Sequence, residues 1–429
     1  MFKPFSGLDY LKIDIANAAG QDKKQFEQRI EWFNNNIPES VMTMDNKELL
    51  AFIESFNPEE IDSKELFFTG LMAYKDHWYN RPSGYRCQLD AICSGASIMS
   101  CLTADRKGLL NTGLLGNVRS DLYTAVYETM KKLYKKPLIY TRDSIKKAVM
   151  CFLYGSTAEP AKVFEETEVL EVFWKAVAIE AEGAYQLQQL LINNWNPKAT
   201  SHHWMLPDAF EAHLPVMVER EYIYTVEDDE PFDIRFNIKS EGTKKKSVSN
   251  CANLIHSVDA MLVREMTRRC MFDTEHLQEV YWYLNNTIDS LYEPLTMDEL
   301  DKMGQLGVLI YVYEESKFCS VRILDEIKSQ ADTYKLSKEH RTKLIDIIEK
   351  MLHHGNIEMV AIHDCYTALP NNMNYIRYWY KEMCADIVES NMLSYLYNQI
   401  TSDKLDDNTS KTYRKRIAAE VRNSNYGLS

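Results

Sequence analysis

Breakers of regular structure are scarce in this chain, with 15 glycines and 12 prolines in 429 residues. That excludes collagen-like and loop-dominated architectures, and beside plentiful Leu, Lys, Glu and Met it favours helix. The nine cysteines form no CxxC pair and have no histidine partners at metal spacing. A zinc ribbon is not expected on that pattern, and reduced thiols in a cytoplasm are. No apolar run is long enough for a membrane helix, and the opening MFKPFSGLDY lacks the apolar core of a secretory signal. Positive charge is not in excess either. Against 63 Asp and Glu stand 49 Lys and Arg, a formal net charge of −14. A surface built throughout for nucleic acid is disfavoured, whereas a local basic channel or a partner's charge would still serve.

What the chain does have is tyrosine, 26 of them, and a hydrophobic content of 45% that can fill one to three domain cores. LKIDIANAAG and QFEQRIEWF read as two amphipathic helices broken at Gly20. Helical spacing continues over 45–80, and GYRCQLDAIC is a short apolar run closing on Asp90, as a strand entering a turn would be. Residues 96–136 and the stretch EVLEVFWKAVAIEAEGAYQLQQLLINN return to helix. Between 203 and 237 alternating Tyr, Val and Ile predict a β-ribbon, followed by a charged loop, KSEGTKKKSVSN. IHSVDAMLVREM and the polar region 272–353 are helical, and VAIHDCYTALP is a short β-prone run ended by proline.

The stretch TRDSIKKAVMCFLYGS carries the first chemical signal. As a helix it sets Arg142 and Lys146 one turn apart on one side, with Tyr154 two turns further and Gly155 at the C-cap. Lys146 and Tyr154 are then separated by roughly 12 Å along the axis, about the span from a triphosphate to its sugar. Two cations and an aromatic hydroxyl at that distance suit a nucleotide, although Arg and Lys at this spacing also decorate ordinary solvated helices. The second signal is a pair of aspartates, Asp90 and Asp364, each beside apolar or β-branched neighbours. A carboxylate in such a place is costly unless paired or metal-bound. Brought together, the two could bridge Mg²⁺ ions for an in-line phosphoryl displacement, and apart they are turn residues.

In their order these stretches resemble the single-subunit DNA-directed RNA polymerases of phages and mitochondria. CQLDAICSGASIMSCLT is similar to that family's first palm motif, TRDSIKKAVMCFLYGS to its fingers helix, and VAIHDCYTALP to its second palm motif. NLIHSVDAMLVREM, HWMLPDAF and LKIDIANAAG…FEQRIEWF resemble further family elements. The resemblance implies that Asp90 and Asp364 are metal ligands for two Mg²⁺, with the Ala91 carbonyl as a further oxygen donor. It implies that Arg142 and Lys146 hold the triphosphate and that Tyr154, followed by Gly155, sits by the templating base and senses the sugar. His256 would approach the ribose 2′-OH, His363 would support the metal site, and Tyr123 would line the nucleotide pocket. The related DNA polymerases carry a Glu after the first Asp that blocks a 2′-OH, and read HDE in the second motif. Here Ser94, Gly95 and Ala96 are small and Cys365 follows Asp364, so ribonucleotides are favoured.

The family resemblance implies an α+β fold, mainly α with a small antiparallel palm and fingers. Expected divisions are a helical region 1–80, palm 81–135, fingers 136–250, a palm and fingers helix 251–271, a helical insertion 272–355, and palm and C-terminal residues 356–429. Family members are about twice this length, and the thumb, the N-terminal domain and an Asp-x-x-Gly-Arg element find no room here. A smaller second subunit would supply them, as in the heterodimeric polymerases of certain podovirus-type phages, placing the chain in the cytoplasm of an infected bacterium. DNA template, RNA product and ribonucleoside triphosphates are the other expected partners, with a single-stranded-DNA-binding recruiter for the insertion. The final VRNSNYGLS lacks the family's usual aromatic ending. A DNA polymerase with the same palm, and a non-enzymatic scaffold or single-stranded-DNA-binding protein with a vestigial palm, remain the other readings.

Overall fold

Side-chain caps start many of the helices. The computed structural model describes residues 2–57, 61–227, 232–401, 404–405 and 407–429. Helix α1 (Gly7–Ala16) opens with Ser6 and Asp9 in a capping box, and Gly20, at φ +74°, turns the chain into α2 (Phe26–Asn36). Helices α3 (Asn46–Glu54) and α4 (Lys64–Trp78) lead to strand β1 (Cys87–Asp90). Next come α5 (Ser94–Thr103), α6 (Arg106–Asn111), α7 (Leu122–Leu133), α8 (Arg142–Leu153), α9 (Ala158–Val163), α10 (Thr167–Glu180) and α11 (Glu182–Asn193).

Two antiparallel hairpins follow, β2 (Ser201–Met205) with β3 (Glu211–Pro215) and β4 (Met217–Val226) with β5 (Phe232–Glu241). The chain then returns to helix in α12 (Ser249–Cys270), α13 (Thr274–Asn285), α14 (Met297–Lys302), α15 (Gln305–Ser316), α16 (Gln330–Thr333) and α17 (Lys338–His354). Strands β6 (Met359–Ile362) and β7 (Cys365–Ala368) precede α18 (Met373–Glu389), α19 (Met392–Ile400) and α20 (Lys411–Arg422). The mainly helical α+β expectation therefore agrees with the structure. One local expectation does not. Lys239 to Glu241, placed in a loop by their charge, extend β5, because their partners Met217 to Glu219 continue the ladder.

The small sheet β1–β7–β6 is antiparallel throughout. Its alternation has a clear inside and outside. Cys87, Leu89, Met359, Tyr366 and Ala368 are buried, while Asp90 is exposed. Helices α12 and α18 pack on it, α5 packs on both of those helices, and α1 lies beside β1. The ion pairs of buried Asp208 with Arg264 (2.6 Å) and Arg268 (3.2 Å) fasten the β2–β3 hairpin to α12. The β4–β5 ribbon carries Tyr222, Tyr224, Phe232, Ile234, Phe236 and Ile238 on one face, all exposed. All nine cysteines are unpaired. Among the described residues no helix is long and apolar enough to cross a membrane.

Candidate nucleotide and metal site

The site is built on the end of the three-stranded sheet. Asp90 is the last residue of β1 and pairs with Cys365, the first of β7, in the ladder. Ile362 pairs with Cys365, so His363 and Asp364 form a two-residue hairpin turn, with His363 at φ +56°. The Ala91 amide donates to the Asp364 carbonyl at 3.1 Å, tying the two aspartate-bearing loops together. The structure thus brings Asp90 and Asp364, distant in sequence, to one end of one sheet.

Gly427 to Ser429 run beside this end, with Leu428 bridged to Ala91. The Ile92 amide donates to the Gly427 carbonyl (3.0 Å), and the Ser429 amide donates to that of Asp90 (2.8 Å). Behind β1, buried Asp14 accepts from the Tyr85 hydroxyl at 2.6 Å and the Gln88 amide at 3.2 Å, which fixes the strand against α1. Burial pushes the Asp14 carboxyl up to about 6, and the Asp90 charge adds to the rise. Burial, then its hydrogen bond to Asp90, pushes the Cys365 thiol up.

A cavity of about 440 Å³ runs from this sheet end to α8. That is within the range of small-molecule sites, about 300–1,000 Å³. Its lining includes Asp90, Asp364, Arg142, Lys146 and Tyr154. Thr141 caps α8 by accepting from the Ser144 amide, which sets the helix so that Arg142 and Lys146 project from one side. Arg142 donates to Asp121 at 2.9 Å and to Thr124 at 3.0 Å, and Asp121 also caps α7. Lys146 has no hydrogen bond or ion pair among the described residues. Tyr123 lies beneath both cations, 5.8 Å from the Arg142 guanidinium and 6.0 Å from the Lys146 ammonium.

At the other end of α8, Tyr154 caps the helix and its ring meets that of His256 on α12, with centroids 4.8 Å apart. The Tyr154 hydroxyl fills the space beside Gly95, where an added Cβ would stand 2.5 Å from that oxygen. Gly155, at φ +99°, lets the chain turn back here, and a Cβ on it would press Val248 at 2.8 Å. Burial first, then the negative charges of Asp259 and Asp364, push the Tyr154 phenol up to about 12. The same acid proximity acts on Asp259, which burial and Asp364 push up to about 6. His363 sits exposed on the turn and makes no hydrogen bond among the described residues.

Oxygen donors suit a hard divalent cation. Asp90 and Asp364 supply carboxylates free of ion pairs among the described residues, and the Ala91 carbonyl lies in the adjoining loop. No group of three or more His, Cys, Asp or Glu among the described residues could hold a metal unaided. Two carboxylates and a carbonyl are the kind of donors that Mg²⁺ accepts when water and phosphate oxygens fill its other positions.

Sequence reasoning missed several residues of this cavity. Asp121 carried a signal, because an Asp just before LYTAV is an N-cap pattern. Lys23 and Arg119 had no pattern of their own, and Ser429 reaches the site only through long-range pairing.

Residues 4–193 match the model of the DNA-dependent RNA polymerase family. A "Probable DNA-directed RNA polymerase" of Neurospora crassa is similar, 29% identical over 171 residues that cover 35% of this chain and 18% of the relative. The chain thus aligns with less than a fifth of that relative's length. The family match includes Asp90, Tyr123, Arg142, Lys146 and Tyr154, whereas His256, His363 and Asp364 lie beyond it.

Proposed function

We propose that the chain is the catalytic subunit of a DNA-directed RNA polymerase, joining ribonucleoside triphosphates to an RNA 3′ end on a DNA template. One observation carries the reading. Two carboxylates on a shared sheet end face the same cavity as a helix presenting Arg142 and Lys146, with Tyr154 against His256 at that helix's far end. In the reaction the 3′-hydroxyl oxygen attacks the α-phosphorus, the bond to the β-phosphate breaks, pyrophosphate leaves, and the hydroxyl proton passes to solvent. Two Mg²⁺ held by Asp90 and Asp364, with the Ala91 carbonyl, would stabilise the attacking and leaving oxygens.

The chain's own residues do the rest. Arg142, braced by Asp121, and Lys146, unpaired among the described residues, bind the triphosphate through fixed charge. Tyr123 supports both cations from below. Tyr154 positions the sugar, with Gly155 turning the backbone behind it. His256 takes the 2′-hydroxyl, and His363 supports the metal site from its place beside Asp364 on the turn. Gly95 leaves room for the Tyr154 hydroxyl, which a side chain at that position would displace.

In this reading the sheet with α5, α12 and α18 is the palm and α8 to α11 belong to the fingers, within the divisions at 81–135, 136–250, 251–271 and 356–429. Residues 1–80 support the palm, and 272–355 are an insertion packed against α12 and α19. A second, smaller subunit completes the enzyme, and the exposed apolar face of the β4–β5 ribbon is surface available to it. A single-stranded-DNA-binding recruiter and an infected bacterial cytoplasm complete the setting.

The test is RNA extension on a DNA template with Mg²⁺, comparing ribonucleotides with deoxynucleotides. Ribonucleotides are expected to be used in strong preference. Tyr154→Phe is expected to lower that preference by about tenfold, since one hydroxyl contact is worth about 1.4 kcal/mol. Preferential use of deoxynucleotides would make the enzyme a DNA polymerase. Failure to extend at all with the partner present would leave the scaffold reading.

A further inference from the structure

At the Asp90 end of the cavity two guanidinium groups meet on one hydroxyl. Arg29 Nη2 and Arg119 Nε both donate to Ser429 Oγ, at 2.5 and 3.0 Å. Ser429 is paired through its backbone to Asp90. The remaining bonds of Arg29 go to the Lys24 and Asp22 carbonyls and the Asn17 side-chain oxygen, and Arg119 adds the Lys23 carbonyl at 3.4 Å. Every one of these acceptors is neutral. Two like charges therefore share one uncharged oxygen; the Asp22 and Asp14 charges offset part of the repulsion at Arg29, and an anion at Arg119 would offset more. Burial first, then the charge of Arg119, lowers the Arg29 guanidinium to about 9.

The two arginines are not equivalent. Arg29 is fully buried, with its donors turned inward, whereas Arg119 is half-buried and lines the cavity with Asp90, Lys23 and Lys146. Arg119 Nη2 has no hydrogen-bond partner among the described residues. Arg119 also lies two residues before Asp121, the carboxylate that braces Arg142. Arg119 and Arg142 line one cavity with Asp90 and Asp364. With an α-phosphate at the two aspartates in the proposed reaction, the phosphates beyond it are the part of the ligand left for these two guanidinium groups.

We propose that Arg119 is a third phosphate contact, which takes the pyrophosphate portion of a nucleoside triphosphate beside Arg142 and Lys146. The inference rests on the nucleotide reading given above. Its planar fork can bind two phosphate oxygens at once, and the bound anion offsets the repulsion between Arg119 and Arg29.

Isothermal titration of the full chain with Mg·GTP, inorganic pyrophosphate and guanosine tests it. Arg119→Ala is expected to weaken Mg·GTP and pyrophosphate by about tenfold and leave guanosine binding unchanged. Arg119→Lys, which keeps charge but loses the fork, should recover part of the loss. Unchanged affinity of Arg119→Ala for both phosphate ligands overturns the inference while leaving the nucleotide site standing. An equal loss of guanosine binding, together with a lowered Tm, makes Arg119 structural and overturns it as well. Wild-type protein that binds none of the three probes overturns the nucleotide reading and this inference together.

Discussion

Asp364→Asn is expected to lower Mg²⁺-dependent ribonucleotide incorporation by about a thousandfold while the protein stays folded. The size follows from the charge. In the proposed reaction, removing one of the two carboxylates that would hold Mg²⁺ takes away stabilisation of the oxygens that gain charge in the transition state, and a thousandfold is about 4 kcal/mol. The fold should tolerate the change because Asn has nearly the same shape. The tie between the two loops also uses the Asp364 backbone carbonyl, not its side chain. Single-turnover extension measures the loss, and an unchanged Tm shows that the hairpin survives. Incorporation within a few fold of wild type would remove Asp364 from the metal site.

Lys146→Ala has the next largest expected effect, about a hundredfold on kcat/KM for the nucleotide. Lys146 is exposed on the cavity and forms no hydrogen bond or ion pair with the described residues, so its charge is available to a ligand. Alanine favours helix, which leaves α8 intact and confines the loss to the missing cation. The neighbouring Lys147 is an internal control. It lies 3.8 Å from Glu159, does not line the cavity, and its replacement by Ala should change kcat/KM less than threefold. Steady-state kinetics on the two variants separate a phosphate clamp from general surface charge, and equal small effects would sink the clamp.

How much of this could be read in the residues differs from place to place. Arg142, Lys146 and Tyr154 share one helix, and a 3.6-residue period is enough to put them on one cavity. The meeting of Asp90 with Asp364 depends on β1 pairing with β7, which no local period reports. Only the order of motifs suggested it. The contact of Tyr154 with His256 is likewise tertiary, made where α8 and α12 converge. Ser429, Arg29 and Arg119 were illegible for a stronger reason. Their junction needs Gly427 to Ser429 to lie along the Asp90 loop, and nothing in YGLS has strand periodicity. The KSE segment misled for the opposite reason, because charge signalled a loop where ladder hydrogen bonds to Met217–Glu219 prevailed.

The central claim is that Asp90 and Asp364 together hold the metal ions at which a ribonucleotide reacts. Anomalous scattering from Mn²⁺ in crystals soaked with a non-hydrolysable ribonucleoside triphosphate tests it most directly. The account predicts manganese between the carboxylates of Asp90 and Asp364, with the triphosphate extending toward Arg142 and Lys146. A well-bound triphosphate with no manganese between these two aspartates would contradict it.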